Sequence, residues 1–542
     1  MATDWQTFPL EFKGGLISNL TPLQQGTNAI GSATILENFE PSLTGGYSKI
    51  KGFKRFNPSA VPGTGSAKMQ CLALVSNGYT AIAVRDDKYF VVNSSSIVQA
   101  HSNSAANYAG RTALSGGKVR FVNYDFGAGE KTIFVDGANA PAFYDGSASG
   151  TSVSFANPAA TEFVPTVGAK FVTEFKNHLV LGKGSSVIIG DTNTDNSFAT
   201  NALELQVKST VTGLIVFREQ LIIFTKDSIQ KITGSASTGS DPFVLTPITK
   251  NIGCIREDTI QEVGGDILFF APDGIRSLAA TERIGDFSLD VASQPIKEDV
   301  DTLSATSFDS IVIREKAQYR LFAYNDSVDN LDSVGLIATK FIAQGGTGIN
   351  WARTRGVKSY ASDSRYYGEV GALGELIIFA NTDGYVYQLE STAGFVDSSN
   401  NAVNITAIYE SPFMPINDPA IRKTFYKLLL FLEPEGGVTA NVNIKYDQDE
   451  IDVIQPPTIQ IETTGQGISK FNDVNFAYAS GTPPAYADDP SPSFYSADLD
   501  KLYRNNVVGS GKTVAIRIEE SSTKPSFRLD TAVLEYSVET RQ

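Results

Sequence analysis

Few residues in this chain have the types and spacing that chemistry needs. The stretch DTNTDNS, 191–197, alternates oxygen-bearing side chains as a calcium loop does, but it has no glycine at its sixth position and Ala202 stands at the twelfth, where an acidic ligand belongs. It reads as a turn. DQDEID, starting at Asp447, gathers carboxylates at a strand end where alternate residues share a face. That reads as a solvated acidic edge, with a divalent cation as the alternative. Glycoside hydrolysis would need two carboxyl groups roughly 5–9 Å apart, and 59 acidic residues supply many candidates without showing which are neighbours. Asp136, Asp273 and Asp383 each precede a glycine, a pairing that turn geometry alone explains. His101 and His178 are the only histidines, so a histidine triad or a histidine-rich zinc site is hard to assemble. No phosphate-binding glycine loop, nucleophile elbow or CxxC pair is present. The expectation is a protein that is not an enzyme and carries no cofactor or metal.

The bulk numbers narrow the class. At 542 residues the chain exceeds the ~150-residue scale of one ordinary domain, so several domains or one large repetitive one are expected. A formal charge of -15 argues against a sequence-reading nucleic-acid binder, because such proteins neutralise phosphates with clustered Lys and Arg. The two cysteines, Cys71 in the apolar stretch MQCLALV and Cys254 far along the chain, suit a reduced compartment, with a single bridge as the alternative. The start lacks the basic and apolar regions of a signal peptide, and no apolar run approaches the ~18 residues of a membrane span.

The elements that would position any site are strands. Short runs rich in Val, Ile, Phe and Tyr recur between Gly, Asn, Asp and Ser clusters, and helical periodicity is scarce. A strand–turn–strand unit repeats at AIAVRDDKYFVV, TIFVDGANAPAFYDG, LVLGKGSSVIIG, LIIFTKDSIQKITG, ILFFAPDGIRSL and LIIFANTDGYVYQL, with a degenerate copy at YRLFAYND. Most starts lie roughly 40–55 residues apart, about one propeller blade. The turns at Asp86, Asp136, Lys226, Asp273 and Asp383 should therefore occupy equivalent blade positions. The fold predicted is all-β: a β-propeller of six to eight blades over residues 65–395, which buries both faces of each sheet and leaves only short edges. A stack of β-sandwiches is the alternative.

Two flanking regions differ in texture. Residues 1–64 are polar and glycine-dotted, and are expected to form an extended interface arm. Residues 396–542 alternate again and predict a β-sandwich or small barrel, interrupted at about 451–505 by a Pro- and aromatic-rich loop that cannot form a long strand. Its prolines restrict the backbone, and Phe471, Phe476, Tyr478, Tyr486, Phe494 and Tyr495 could pack around an axis as a gate or tip.

Three segments carry a family resemblance. FKGGLISNLTPLQQGTNAIGSATILENFEPSLTGGYSKIKGFKRF, 12–56, resembles the opening of tail proteins from short-tailed bacteriophages through Gly14, Gly15, Asn19, Pro22, Asn38, Pro41, Gly45, Gly46 and Gly52. NIGCIREDTIQEVGGDILFFAPDGIRSL, 251–278, is similar to a propeller blade of those proteins, and RKTFYKLLLFLEPEGG to the start of their C-terminal β-domain. The family is the tail nozzle, or tail tubular protein B, with the related head-closure or stabilisation proteins. The resemblance implies a virion protein, assembled in the host cytoplasm, that forms a homo-hexamer below the portal and adaptor. Such a ring holds and then conducts double-stranded DNA without binding it specifically, and tail fibres or spikes are further partners. The acidic balance suits a conduit that must not trap DNA. Two other readings stay open: a carbohydrate-binding or glycan-degrading propeller, and a head-closure protein at another level of the tail.

Overall fold

The computed structural model describes residues 5–65, 67–76, 80–102, 117–127, 129–144, 166–195, 197–198, 202–236, 239–279, 291–343, 346–368, 374–449, 452–462 and 502–539. Within these the regular structure is almost entirely strand, and six separate antiparallel sheets are propeller blades. The first runs Met69–Val75, Thr80–Arg85, Lys88–Val92, Ile97–Ser102. The second spans 120–144, the third 171–206, the fourth 211–249 and the fifth 261–277. The last blade is Ala361–Tyr366, Glu375–Ala380 and Val386–Thr392, closed by Gly52–Arg55 from the other end of the chain.

Between the fifth and last blades lies another four-stranded unit: Ser307–Ile313, Gln318–Tyr324, Val334–Ala343 and Gly346–Arg355. Its first strand packs against Gln261–Val263 on one side and Ala361–Tyr366 on the other, so it fills a place in the ring. Its outer strand continues outward. Gly346–Arg355 pairs in parallel with Ile35–Glu37, which pairs with Ile405–Glu410, and Val514–Ser522, Thr439–Tyr446 and Ile459–Glu462 complete a nine-stranded sheet. We call this unit the bridging blade.

A seven-stranded sheet faces the far half of the nine-stranded one. It is built on Lys423–Pro434 and Phe527–Val538 and includes Gln6–Glu11, Phe39–Pro41, Tyr47–Lys49, Leu502–Asn506 and Ser510–Gly511. Along Lys423–Pro434 apolar side chains alternate inward, and Phe425 stacks on Tyr446 of the opposite sheet at 5.3 Å. Blade strands read differently. Every residue of Met69–Val75 is buried, because Met69, Leu72 and Leu74 face the last blade while Cys71, Ala73 and Val75 face the second. That double cover produces the continuous apolar run MQCLALV.

All five expected turn residues lie between the second and third strands of their blades. Tyr319, in the degenerate copy, sits on the second strand of the bridging blade. The expected domain boundaries shift. Residues 1–64 do not form a separate arm within the chain: their strands enter both sheets of the sandwich and the last blade, and Leu10, Phe12 and Leu16 are core residues. The segment lacks a long apolar pattern because each short piece completes somebody else's sheet. The loop expected at 451–505 is bounded by the strands Ile459–Glu462 and Leu502–Asn506, and Phe471, Phe476, Tyr478, Tyr486, Phe494 and Tyr495 lie outside the described residues.

Candidate functional site

First strands of blades line the propeller axis, and side chains on or just before them line a partly open cavity of about 270 Å³. Each place in the ring contributes, through Gln70, Arg120, Val172, Thr212, Asp258, Asp309 and Asp363. Arg120 of the second blade donates through Nε and Nη2 to Asp258, at 2.7 and 2.8 Å, and through Nη2 to Glu257 at 3.0 Å. Lys118 Nζ donates to the Phe308 carbonyl at 2.8 Å and to Asp309 at 3.3 Å, and lies 3.5 Å from Asp258. Asp309 also accepts from the Ser359 and Ser362 hydroxyls. Because Asp258 precedes the fifth blade and two blades separate it from the second, these ion pairs cross the centre of the ring. Side chains thus bridge the axis.

Two carboxyl groups on this cavity are shifted in opposite directions. Burial pushes Asp258 upward, but the charges of Arg120 and Lys118 outweigh it and bring it down to about 2. Asp363 has no such partner, and burial raises it to about 7 against amide bonds from Leu74 and Ser364 and the more distant charges of Arg365 and Arg314. One ionised and one protonatable carboxyl around a cavity is the pairing acid–base chemistry uses. Here the oxygens of Asp258 are engaged by Arg120 and Lys118, and each oxygen of Asp363 accepts from a backbone N–H.

A second buried charge cluster lies where the N-terminal segment meets the propeller. Arg320 donates to Glu40 at 2.7 Å and lies 2.6 Å from Glu390, and Lys316 reaches both carboxylates at 2.5 Å. Burial would raise Glu390, but Arg320 and Lys316 override it and hold it at about 2. The cluster ties Phe39–Pro41, the bridging blade and the last blade together.

Residues singled out from sequence occupy structural roles. Asp191 accepts from Ser197 and Asp195 pairs with Lys131. Asp447 accepts from the Lys512 and Thr513 amides at 2.7 and 2.9 Å, and Asp449 pairs with Lys445. Asp136 accepts from the Ala138 and Asn139 amides, Asp273 pairs with Arg276, and Asp383 accepts from the Tyr385 amide and the Tyr387 hydroxyl. His178 is buried, with Nδ1 2.7 Å from the Gly190 carbonyl and its ring edge-on to Phe243; His101 lies on Ile97–Ser102. Both cysteines are buried free thiols. Among the described residues no group of three or more His, Cys, Asp or Glu is arranged to hold a metal.

The residues of the opening segment make contacts within the chain. Gly15 has φ +70°, and a Cβ there would stand 2.8 Å from the Trp351 backbone; at Gly52 it would fall 1.8 Å from the Gly394 carbonyl. Gly14, Gly45 and Gly46 also take left-handed φ, and Pro22 opens the helix Pro22–Asn28. The Asn19 amide donates to the Pro295 carbonyl, and Pro41 ends Phe39–Pro41. Asn38 joins two strands, donating to the Thr406 carbonyl and accepting from the Arg355 amide, each at 2.8 Å.

Lys118, Arg120, Asp258, Asp309 and Asp363 escaped the sequence reading because no motif joins them. Their common mark is a charge on or beside the first strand of a blade, visible only once blades are aligned.

No family model matches the chain, and no curated protein matches it. Solved structures do. Raptor from Chaetomium thermophilum aligns at 11% identity and TM-score 0.37 over 63% of this chain and 30% of its own. The extracellular domain of the one-component system BT4673 from B. thetaiotaomicron aligns at 10% identity and TM-score 0.38 over 76% and 48%. Sqt1 from Saccharomyces cerevisiae aligns at 11% identity and TM-score 0.38 over 62% and 99%. The chain thus spans about a third and a half of the first two proteins.

Proposed function

We propose that this protein is a structural component of a short-tailed phage virion: the subunit of a hexameric tail nozzle below the portal and adaptor, which retains the packaged genome and conducts it during ejection. The observation that carries the reading is the nine-stranded sheet running from the bridging blade into the sandwich. A hinge between propeller and sandwich would let a ring under internal pressure deform, whereas one hydrogen-bonded sheet resists bending between them. The three resembling segments also fall on the joints of the fold. Residues 12–56 thread both sandwich sheets and close the last blade, 251–278 form the fifth blade and its approach, and Lys423–Pro434 is the long strand of the seven-stranded sheet. With ion pairs crossing the propeller axis, DNA passes through the opening between subunits of the ring and not through any one propeller.

The test is the mass and image of the purified protein, followed by addition to nozzle-less tails. Six-fold rings that restore genome retention are expected; a monomer that does not join tails and cleaves polysaccharide would overturn the reading in favour of a glycan-directed propeller.

A further inference from the structure

Three loops at one end of the propeller gather positive charge in a chain whose formal charge is -15. They are 207–210, leading into the fourth blade, the turn 226–228 within it, and 250–257, leading from it to the fifth. Contacts join them: Lys208 Nζ donates to the Lys250 carbonyl and lies 3.6 Å from Asp227, and the Cys254 amide donates to the Thr225 carbonyl at 2.9 Å. Lys208, Lys226, Lys250 and Arg256 are all exposed, and Ile255 between the last two is 38% exposed. The only acidic residues of these loops are Asp227, which faces Lys208, and Glu257, which Lys170 and Arg120 share at 2.6 and 3.0 Å. The loops hold no further carboxylate for Lys226, Lys250 or Arg256.

The counterpart stands at the far margin of the sandwich. Between Thr439–Tyr446 and Ile459–Glu462, the last two strands of the nine-stranded sheet, the chain carries Asp449 and Asp452, both exposed, and Ile454, 89% exposed. Gln455 pins the returning chain to Tyr446, accepting from its amide at 2.7 Å and donating to its carbonyl at 3.0 Å. We infer that the basic loops of one subunit dock on this acidic loop of the next, a head-to-tail contact between two copies of the chain. The inference rests on the ring reading for its partner and adds the surfaces that meet. One patch belongs to the propeller and the other to the sandwich, so each subunit offers a different surface on each side, as a closed ring of heterologous contacts requires. Charges of opposite sign meet, and the exposed isoleucine in each patch supplies apolar contact inside a charged rim. Those features favour protein over nucleic acid. A phosphate backbone has charge for Lys226, Lys250 and Arg256 but nothing to cover Ile255, and Asp227 and Glu257 would meet it with like charge. Docking also removes these cations from the path of DNA, which they would otherwise hold.

The test is sedimentation velocity on the full chain and two charge-reversed variants. The first carries Lys226→Glu, Lys250→Glu and Arg256→Glu; the second carries Asp449→Lys and Asp452→Lys. All five side chains are exposed, so both variants should keep the native unfolding midpoint. Each alone should associate about 100-fold more weakly than the native chain. Mixed in equal amounts they should recover association to within about tenfold of native, because each reversed patch then meets a reversed partner. Native association should also weaken as salt is raised. Native-like association of either variant alone, or no recovery on mixing, overturns this contact and leaves the ring reading in place. A native chain that stays monomeric at every concentration overturns both. If duplex DNA binds the native chain and not the first variant, while that variant associates normally, the loops belong to nucleic acid and the contact is again overturned.

Discussion

At the junction, Arg320 and Lys316 meet Glu40 and Glu390 in a space where the guanidinium and both carboxylates are almost wholly buried. On the axis, Arg120 and Lys118 meet Asp258, Glu257 and Asp309 beside a cavity, with side chains one-tenth to nearly one-third exposed apart from that of Asp309. Both clusters join segments far apart in sequence. The junction fastens a strand to two blades; the axial cluster spans the ring beside a cavity. The difference teaches that similar ion-pair chemistry can serve as a fastener in one place and line a cavity in another, depending on how closely the surrounding elements pack.

Breaking the junction should cost most. Arg320→Ala leaves Glu40 and Glu390 sharing Lys316 in a buried setting, and a loss of about 3–5 kcal/mol in urea unfolding is expected. Proteolysis within 35–55 should rise with it. A loss below about 1 kcal/mol would show that water reaches the cluster and erase the contrast. On the axis, Asp258→Ala leaves Arg120 with Glu257 and Lys118 with Asp309, and we expect a smaller loss of about 1.5–3 kcal/mol. An equal loss at both sites would mean that the axis is as dry as the junction.

The third effect depends on pH. Asp363 is held at about 7 when folded against ~3.9 unfolded, so the native state binds the extra proton between those values. Its contribution to stability is full below the unfolded value and lost as pH rises through 7, with a slope of up to ~1.4 kcal/mol per pH unit. Asp258 and Glu390, at about 2 when folded, are ionised in both states above about pH 5.5 and add little to the slope there. Unfolding curves from pH 5 to 8 should therefore show stability falling for the native protein, and Asp363→Asn should flatten the fall. If the variant keeps the full slope, the proton resides elsewhere. The smallest expected effect is at 191–197: with Asp195 paired to Lys131 and Asp191 to Ser197, calcium or EDTA should move the melting temperature by less than about 1 °C, and a larger rise with calcium would reinstate the loop as a metal site.

The blades were readable because a doubly covered strand leaves an unbroken apolar run and its turn leaves Asp–Gly or Asp–Asp, as at Asp86 and Asp273. The bridging blade was only half readable: YRLFAYND marks its second strand, but nothing local says that Gly346–Arg355 will pair with Ile35–Glu37. Such parallel pairing across more than 300 residues has no short-range signature. The opening segment misled for the same reason. Phe12, Asn38 and Gly52 are chosen to fit Tyr409, Arg355 and Gly394, partners invisible from the segment itself. The axial charges were hidden because they are scattered, two at the second blade, two before the fifth, one on the bridging blade and one on the last.

The pairing of Gln6–Glu11 with residues 531–536 fixes when this protein can be finished. During synthesis at ~5–20 residues per second, the first strand waits roughly 25–100 s for its partner to leave the ribosome. Gly52–Arg55 likewise waits for the strand at 386–392. The early blades can form meanwhile, but the propeller ring closes only once 386–392 has been made, and Gln6–Glu11 finds its place in the sandwich only once 531–536 has. A polypeptide interrupted before 386 is therefore an open ring with unpaired edges, and one interrupted at 530 lacks the partner of Gln6–Glu11.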